Sequence, residues 1–208
     1  MNDIVAYHGT THCVDTFSTD RIGTGDGNQL HGWGLYFSGD KNVAEKYNLY
    51  GENLYVVNIK TEKSELLDWD KKPNKKIVNK ILKGLSDIGV DSSIYGNSIH
   101  YQKDGNNYSF DLYNGSCLYN GISSIFESID KKASDFLCGL GIKGIKYDDI
   151  TSQQEGSYNY VIFNDKDIEI IACNGKMFND NSKTLFGLKE AVEAVGVITN
   201  NHQKLKLR

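Results

Sequence analysis

In Tyr7-His8-Gly9-Thr10 a histidine at the end of an extended run can donate a ring N–H to a sugar hydroxyl. The glycine beside it lets backbone N–H and C=O come close to a planar carboxamide. In Gly32-Trp33-Gly34-Leu35-Tyr36-Phe37-Ser38 two glycines bracket a bulky residue and lead into an aromatic strand. There Tyr36 can lie flat against a planar ring while its hydroxyl stays available to polar partners. Tyr47, eleven residues further on, can bring a second aromatic face over the same ring. In the run from Gly156 to Asp165, alternation puts Asn159, Val161 and Phe163 on one face, with Asn159 at a polar mouth and Glu155 just ahead. Each run also has a plainer reading. His8 would serve a structural hydrogen bond, Tyr36 and Tyr47 an aromatic cluster, and Asn159 a strand edge.

The elements that must hold these side chains follow from periodicity. Ile4 to His8 is an extended run that stops at Gly9-Thr10, so His8 sits at a strand's end. Leu35-Tyr36-Phe37 reads as a strand, after which Ser38-Gly39-Asp40 can cap a helix carrying Val43, Ala44 and Tyr47. Residues 54–59, 144–147, 160–163 and 168–171 are strand-like, the last two joined by a turn at Asn164-Asp165-Lys166. Ile77, Ile81, Leu85 and Ile88 predict a helix over 75–88. Ile125, Ile129, Ala133, Phe136 and Leu140 predict a second one over 124–140. Residues 92–121 break this order with Gly, Asn, Ser and Tyr and read as a long loop or small hairpin, a variable flap. Leu185, Leu188, Val192 and Val195 suggest a short closing helix, and 197–208 a flexible basic tail. The expected architecture is one α+β domain over 1–208, with strands around a mixed core and helices confined to particular connections.

Composition narrows the function classes. The chain has 208 residues, 39% of them apolar, 21 glycines, 13 tyrosines and one proline, which suits one core of strands and tight turns. A net charge of −4 supplies no broad positive field for nucleic acid. Cys13, Cys117, Cys138 and Cys173 are scattered without a CxxC pair, which favours a reducing compartment over a zinc knuckle or disulfide framework. His8, His12 and His31 lack the spacing of a metal site, so no metal is expected. The N-terminal run has neither a basic leader nor an apolar core, and no stretch is apolar enough to span a bilayer. Gly23-Thr24-Gly25-Asp26-Gly27 is not GxGxxG and no strand–turn–helix unit surrounds it, which disfavours a dehydrogenase fold.

Taken together, the three runs resemble the ADP-ribosyltransferase superfamily, on its diphtheria-toxin and poly(ADP-ribose)-polymerase side. His8-Gly9-Thr10 is similar to the family's opening histidine motif, and Gly34-Leu35-Tyr36-Phe37 to its glycine–aliphatic–tyrosine–phenylalanine strand. Tyr47 stands at the place of the second tyrosine that sandwiches nicotinamide. Asn159-Tyr160-Val161-Ile162-Phe163 falls where the family has Glu-Tyr-Ile-Val-Tyr. More narrowly the chain looks like the domains of bacterial and phage polymorphic-toxin or polyvalent proteins. The likeness spans most of residues 4–171, and its three motifs carry the specificity.

The resemblance implies an ADP-ribosyltransferase-like split, mixed or antiparallel sheet, NAD⁺ as cosubstrate and no metal. It implies a nicotinamide amide on the Gly9 backbone, a ring between Tyr36 and Tyr47, and His8 on the adenosine-side ribose. Thr10, Arg21 and Ser38 are candidate rim contacts, with Arg21 facing the pyrophosphate. The departure is Asn159 in place of the family's glutamate, which holds the ribose hydroxyl and favours oxocarbenium-like charge. Losing that charge costs about 3 kcal/mol, roughly 100-fold in rate. The expected catalytic set is therefore His8, Tyr36, Asn159 orienting the ribose, and Glu155 as carboxylate, with Asp148 and Asp149 as weaker alternatives. The implied activity is mono-ADP-ribosylation of a macromolecular acceptor, a host protein before a nucleic acid. It would act without a membrane, in the cytoplasm of its own or a target cell; a monomer fits, and the sequence leaves the oligomeric state open. The alternatives are NAD⁺ hydrolysis and an NAD⁺- or ADP-ribose-binding interaction module.

Overall fold

The computed structural model describes residues 4–24, 28–47, 53–153 and 156–178, the side chain of Tyr47 excepted. An eight-stranded sheet is assembled from β1 (Ile4–Thr10), β2 (Leu35–Ser38), β3 (Asn53–Ile59), β4 (Leu66–Asp68), β8 (Gly144–Asp148), β9 (Tyr158–Ile162), β10 (Ile168–Cys173) and β11 (Lys176–Met177). Its order is β11-β10-β3-β1-β2-β9-β8-β4, and every pairing is antiparallel except the β4–β8 edge. A smaller sheet holds β5 (Ser92–Tyr95), β6 (Ser98–Lys103) and β7 (Asn106–Asp111). Four α-helices are found among the described residues: α1 (Lys41–Tyr47), α2 (Lys75–Asp87), α3 (Gly115–Ile125) and α4 (Asp130–Gly139). The fold is α+β with a split, mixed sheet at its centre.

The split follows from one pairing. β1 runs the full length of β3, from Ile4↔Ile59 to Thr10↔Asn53, but meets β2 only at Tyr7↔Ser38. Two half-sheets, β11-β10-β3-β1 and β2-β9-β8-β4, are thus joined at one register pair and diverge beyond it. Each half has its own apolar packing. Ile145, Val161 and Phe163 pack with Ile81 and Leu85 of α2, Leu118, Tyr119 and Ile122 of α3, and Leu137 of α4. Val5, Tyr7, Leu54 and Val56 pack with Ala44 of α1. The reverse faces of both halves share a cluster of Phe37, Tyr55, Val57, Tyr160 and Ile162, into which Phe17 is folded.

Local chemistry explains most boundaries. Asn74 caps α2 by accepting the Ile77 N–H, and Ile77, Val78, Ile81 and Leu85 are buried at helical spacing. Each such burial contributes roughly 1.5–3 kcal/mol. Asp40 caps α1, its carbonyl taking the N–H groups of Val43 and Ala44 and its Oδ1 that of Asn42.

Two stretches depart from the periodicity. The single helix expected over 124–140 is broken into α3 and α4, because Glu127 (φ 62°) and Ser128 (φ 59°) adopt left-handed backbone and Ser123 Oγ donates to Asp130 Oδ1 across the break. The flap expected over 92–121 is regular structure, a three-stranded meander followed by most of α3. Ile99 and Tyr101 of its central strand point into the core, and Asp104 and Gly105, both at positive φ, make the tight second turn. The closing helix over 185–195 and the tail over 197–208 lie outside the described residues. All four cysteines are free, and no helix among the described residues is long and apolar enough to cross a membrane.

Candidate active site

Beyond the Tyr7↔Ser38 pair the His8 side chain bridges from β1 to β2. His8 Nδ1 donates to the Tyr36 carbonyl at 2.8 Å. A carbonyl only accepts, so Nδ1 carries the proton. Burial pushes the imidazole pKa below its ordinary value, against the opposing pull of the Tyr36 bond. His8 is therefore neutral, and its Nε2 is an acceptor. The ring N–H expected for a sugar hydroxyl is spent on Tyr36, so a hydroxyl at Nε2 must donate rather than accept. Phe17, edge-on at 5.0 Å, and Phe37 at 5.6 Å fix the plane of the ring.

Gly9 presents backbone to the same gap. Its cross-strand neighbour Leu54 turns its own N–H and C=O away, to Asn174 Oδ1 and Asn174 N. Gly9↔Leu54 is thus a non-hydrogen-bonded pair of the β1–β3 ladder, and the Gly9 N–H and C=O point toward β2, where the strands have parted. A planar amide presented there meets one donor and one acceptor on bare backbone.

Tyr36 is held by the loop before it. Its hydroxyl donates to the Gly32 carbonyl at 2.8 Å and accepts the His31 N–H at 3.0 Å. The hydroxyl is consequently engaged rather than available, burial pushes its pKa up, and the residue offers the site its ring. The loop is pinned in turn by residues the motif alone does not reveal. Trp33 N donates to the Tyr119 hydroxyl at 2.9 Å, and Ser134 Oγ donates to the Trp33 carbonyl at 2.7 Å. Gly32 sits at φ +93°, where a Cβ would fall 2.6 Å from the Tyr119 ring. At Gly34 a Cβ would strike Val161 Cγ1 at 2.5 Å. The two glycines of the Gly-Trp-Gly run thus serve close packing against α3 and β9.

A row of polar and aromatic residues crosses the sheet beside Tyr36. Tyr7, Ser38, Asn159 and Tyr147 are successive register partners on β1, β2, β9 and β8, so their side chains share a face. Asn159 Oδ1 is buried without a hydrogen-bond partner. A buried orphan acceptor costs about 1–3 kcal/mol, which a donating ligand hydroxyl would recover. His31 stacks on Tyr147 at 3.8 Å with the rings 4° from parallel, and Trp69 meets His31 edge-on at 5.3 Å. Ser38 is buried, its hydroxyl donating to the Asp40 backbone carbonyl at 2.9 Å and lying 3.4 Å from Asp149 Oδ2, and both aspartates are buried.

The remaining expected residues fall as follows. Thr10 ends β1 and accepts the His12 N–H. Arg21 closes a short turn over Thr19–Arg21 and is exposed. Tyr47 ends α1, the helix packed on β1, but its side chain lies outside the described residues, as does all of Glu155. Asp148 pairs with Tyr158 and so projects from the face opposite Asn159. No group of three His, Cys, Asp or Glu residues that could hold a metal ion occurs among the described residues.

The state of His8 has a measurable consequence. Its pKa is lowered on folding, so the stability it contributes is complete above the unfolded-state value of about 6.5 and is lost as pH falls through the folded-state value. His31, also lowered by burial, adds in the same direction. Thermal melting should show a falling Tm from about pH 8 to about pH 5. His8→Asn, whose amide can still donate to Tyr36, should flatten that slope, and an unchanged slope would assign it elsewhere.

A family model described as ADP-ribosyltransferase in polyvalent proteins matches residues 2–178. No curated protein and no solved structure matches the chain.

Proposed function

Since the chain belongs to the family of ADP-ribosyltransferases in polyvalent proteins, enzymes that use NAD⁺, we propose that it breaks the nicotinamide–ribose bond of NAD⁺ and passes ADP-ribose to a macromolecular acceptor, a protein of a host or target cell. The observation that supports this reading is the gap between the half-sheets. The bare Gly9 backbone turns toward it, and the His8 imidazole reaches across it to the Tyr36 carbonyl. In this reading the nicotinamide carboxamide takes its two hydrogen bonds from Gly9, and its ring lies on Tyr36 with Tyr47 as the second face. His8 Nε2 accepts a hydroxyl of the adenosine-side ribose, and Asn159 Oδ1 accepts one from the nicotinamide-side ribose. Nicotinamide leaves with the electron pair of the glycosidic bond. An acceptor nucleophile then attacks the ribose carbon and loses its proton to solvent.

Asn159, an amide at the position of a family carboxylate, favours a second reading, an NAD⁺- or ADP-ribose-binding module without turnover. Incubation of the purified chain with NAD⁺ labelled in the adenine, with and without host-cell lysate, separates the readings. Label fixed on protein is expected. Free ADP-ribose alone would make the chain a hydrolase, and binding without nicotinamide release would make it the module.

A further inference from the structure

Two buried aspartates contact Ser38, Asp40 through its backbone and Asp149 through its carboxylate, and the surroundings of their carboxylates differ. Asp40 (2% exposed) is satisfied at both oxygens. Oδ1 accepts the N–H and the side-chain amide of Asn42, and Oδ2 accepts Ser152 Oγ at 2.6 Å. Asp149 (8% exposed) is satisfied on one side only. Its Oδ1 accepts Thr151 N, Thr151 Oγ1 and Ser152 N at 2.7–3.2 Å. Its Oδ2 has a single long contact, 3.4 Å to Ser38 Oγ, and that hydroxyl's one proton has a nearer acceptor in the Asp40 carbonyl at 2.9 Å. Asp149, a buried residue, thus keeps a carboxylate oxygen that is short of a donor.

The position of that oxygen matters. Ser38 is the register partner of Asn159, whose Oδ1 is itself buried without a donor. Asp149 is tied to the same strand end by its N–H, which donates to the Ser157 carbonyl at 3.0 Å. Two under-satisfied acceptors, the Asn159 amide oxygen and an Asp149 carboxylate oxygen with one long contact, therefore flank Ser38 on the sheet face that carries Tyr36. Breaking a bond between a sugar carbon and a departing base builds positive charge on the sugar ring, and a carboxylate in a water-poor site stabilises that charge most effectively.

We propose that Asp149 is a catalytic carboxylate of this site, its Oδ2 accepting a hydroxyl of the nicotinamide-side ribose beside Asn159 and opposing the charge that develops as nicotinamide leaves. The assignment rests on the NAD⁺-cleaving reading above. It puts the negative charge on the loop after β8 rather than on β9, and it makes Asn159 the neutral member of the pair.

The test measures nicotinamide release by the full chain. Asp149→Asn retains an oxygen for the turn made with Thr151 and Ser152, so it removes the charge while the fold is kept. Its kcat should fall roughly 30- to 100-fold with KM for NAD⁺ changed less than about threefold. Restoring a charge next door supplies the readout that a structural role would not move. Asn159→Glu should recover at least about tenfold of the loss in the Asp149→Asn background, yet gain less than about threefold where Asp149 is present. Asp148→Asn, on the opposite face, should leave activity unchanged. Full activity in Asp149→Asn, or a loss that Asn159→Glu does not relieve, overturns the assignment and leaves the NAD⁺-cleaving reading standing. A wild-type chain that binds NAD⁺ but releases no nicotinamide overturns both.

Discussion

Replacing His8 by Ala should lower NAD⁺ turnover roughly 100- to 1,000-fold. The change also leaves the part-buried Tyr36 carbonyl without its donor, at about 1 kcal/mol of stability. Two functions are lost together, the Nε2 acceptor and the hydrogen bond that ties β1 to Tyr36 across the gap. His8→Asn separates them. An asparagine amide reaches the Tyr36 carbonyl from nearly the place of Nδ1 but has nothing at the place of Nε2. It should keep most of the stability and lose most of the turnover. Steady-state nicotinamide release and a melting curve on both variants read the two losses independently, and a fully active Asn variant would remove Nε2 from the proposed mechanism.

A large stability effect is expected at Gly144. A Cβ there would lie 2.3 Å from the Val161 backbone oxygen, where nothing soft can yield. β8 is held on both sides, by β9 at Gly144↔Ile162 and by β4 at Leu66↔Gly144. Gly144→Ala must therefore push β8 off β9, at a cost of about 3 kcal/mol or more. Gly139, at the end of α4, has nothing within 4 Å of its ideal Cβ. The same substitution there should be neutral or slightly stabilising, since Ala is the better helix former by up to ~1 kcal/mol. Denaturant unfolding of the pair checks the contrast, and equal midpoints for both variants would mean that β8 has room to move.

What could be read from the chain beforehand followed from its periodicity. The apolar runs at 54–59 and 160–163 are strands of the main sheet, and the spacing of Ile77, Ile81 and Leu85 marks α2. β4 escaped because Leu66–Asp68 is too short to display a period and owes its place to β8. The break between α3 and α4 escaped because Ile125, Ile129 and Ala133 keep helical spacing while the backbone at Glu127 and Ser128 turns left-handed. At the candidate site, residue types were legible but their protons were not. Whether His8 donates or accepts is decided by the Tyr36 carbonyl, and whether the Tyr36 hydroxyl is free is decided by Gly32 and His31. Asp149 looks like an ordinary turn residue in sequence, and it is one through Oδ1. Only the packing around Ser38 reveals that Oδ2 has no more than one long contact, from a hydroxyl with a nearer acceptor.

A ladder of backbone bonds between two strands must be broken as a block before the strands can separate. Between β1 and β2 there is no ladder, only the Tyr7↔Ser38 pair and one imidazole. Each half-sheet keeps its own helices and its own apolar packing. Behind the cleft, however, Phe37, Tyr55, Val57, Tyr160 and Ile162 pack as one cluster across both halves, so a ring entering beside Tyr7 and His8 displaces polar contacts in front while shared apolar packing braces the halves behind it.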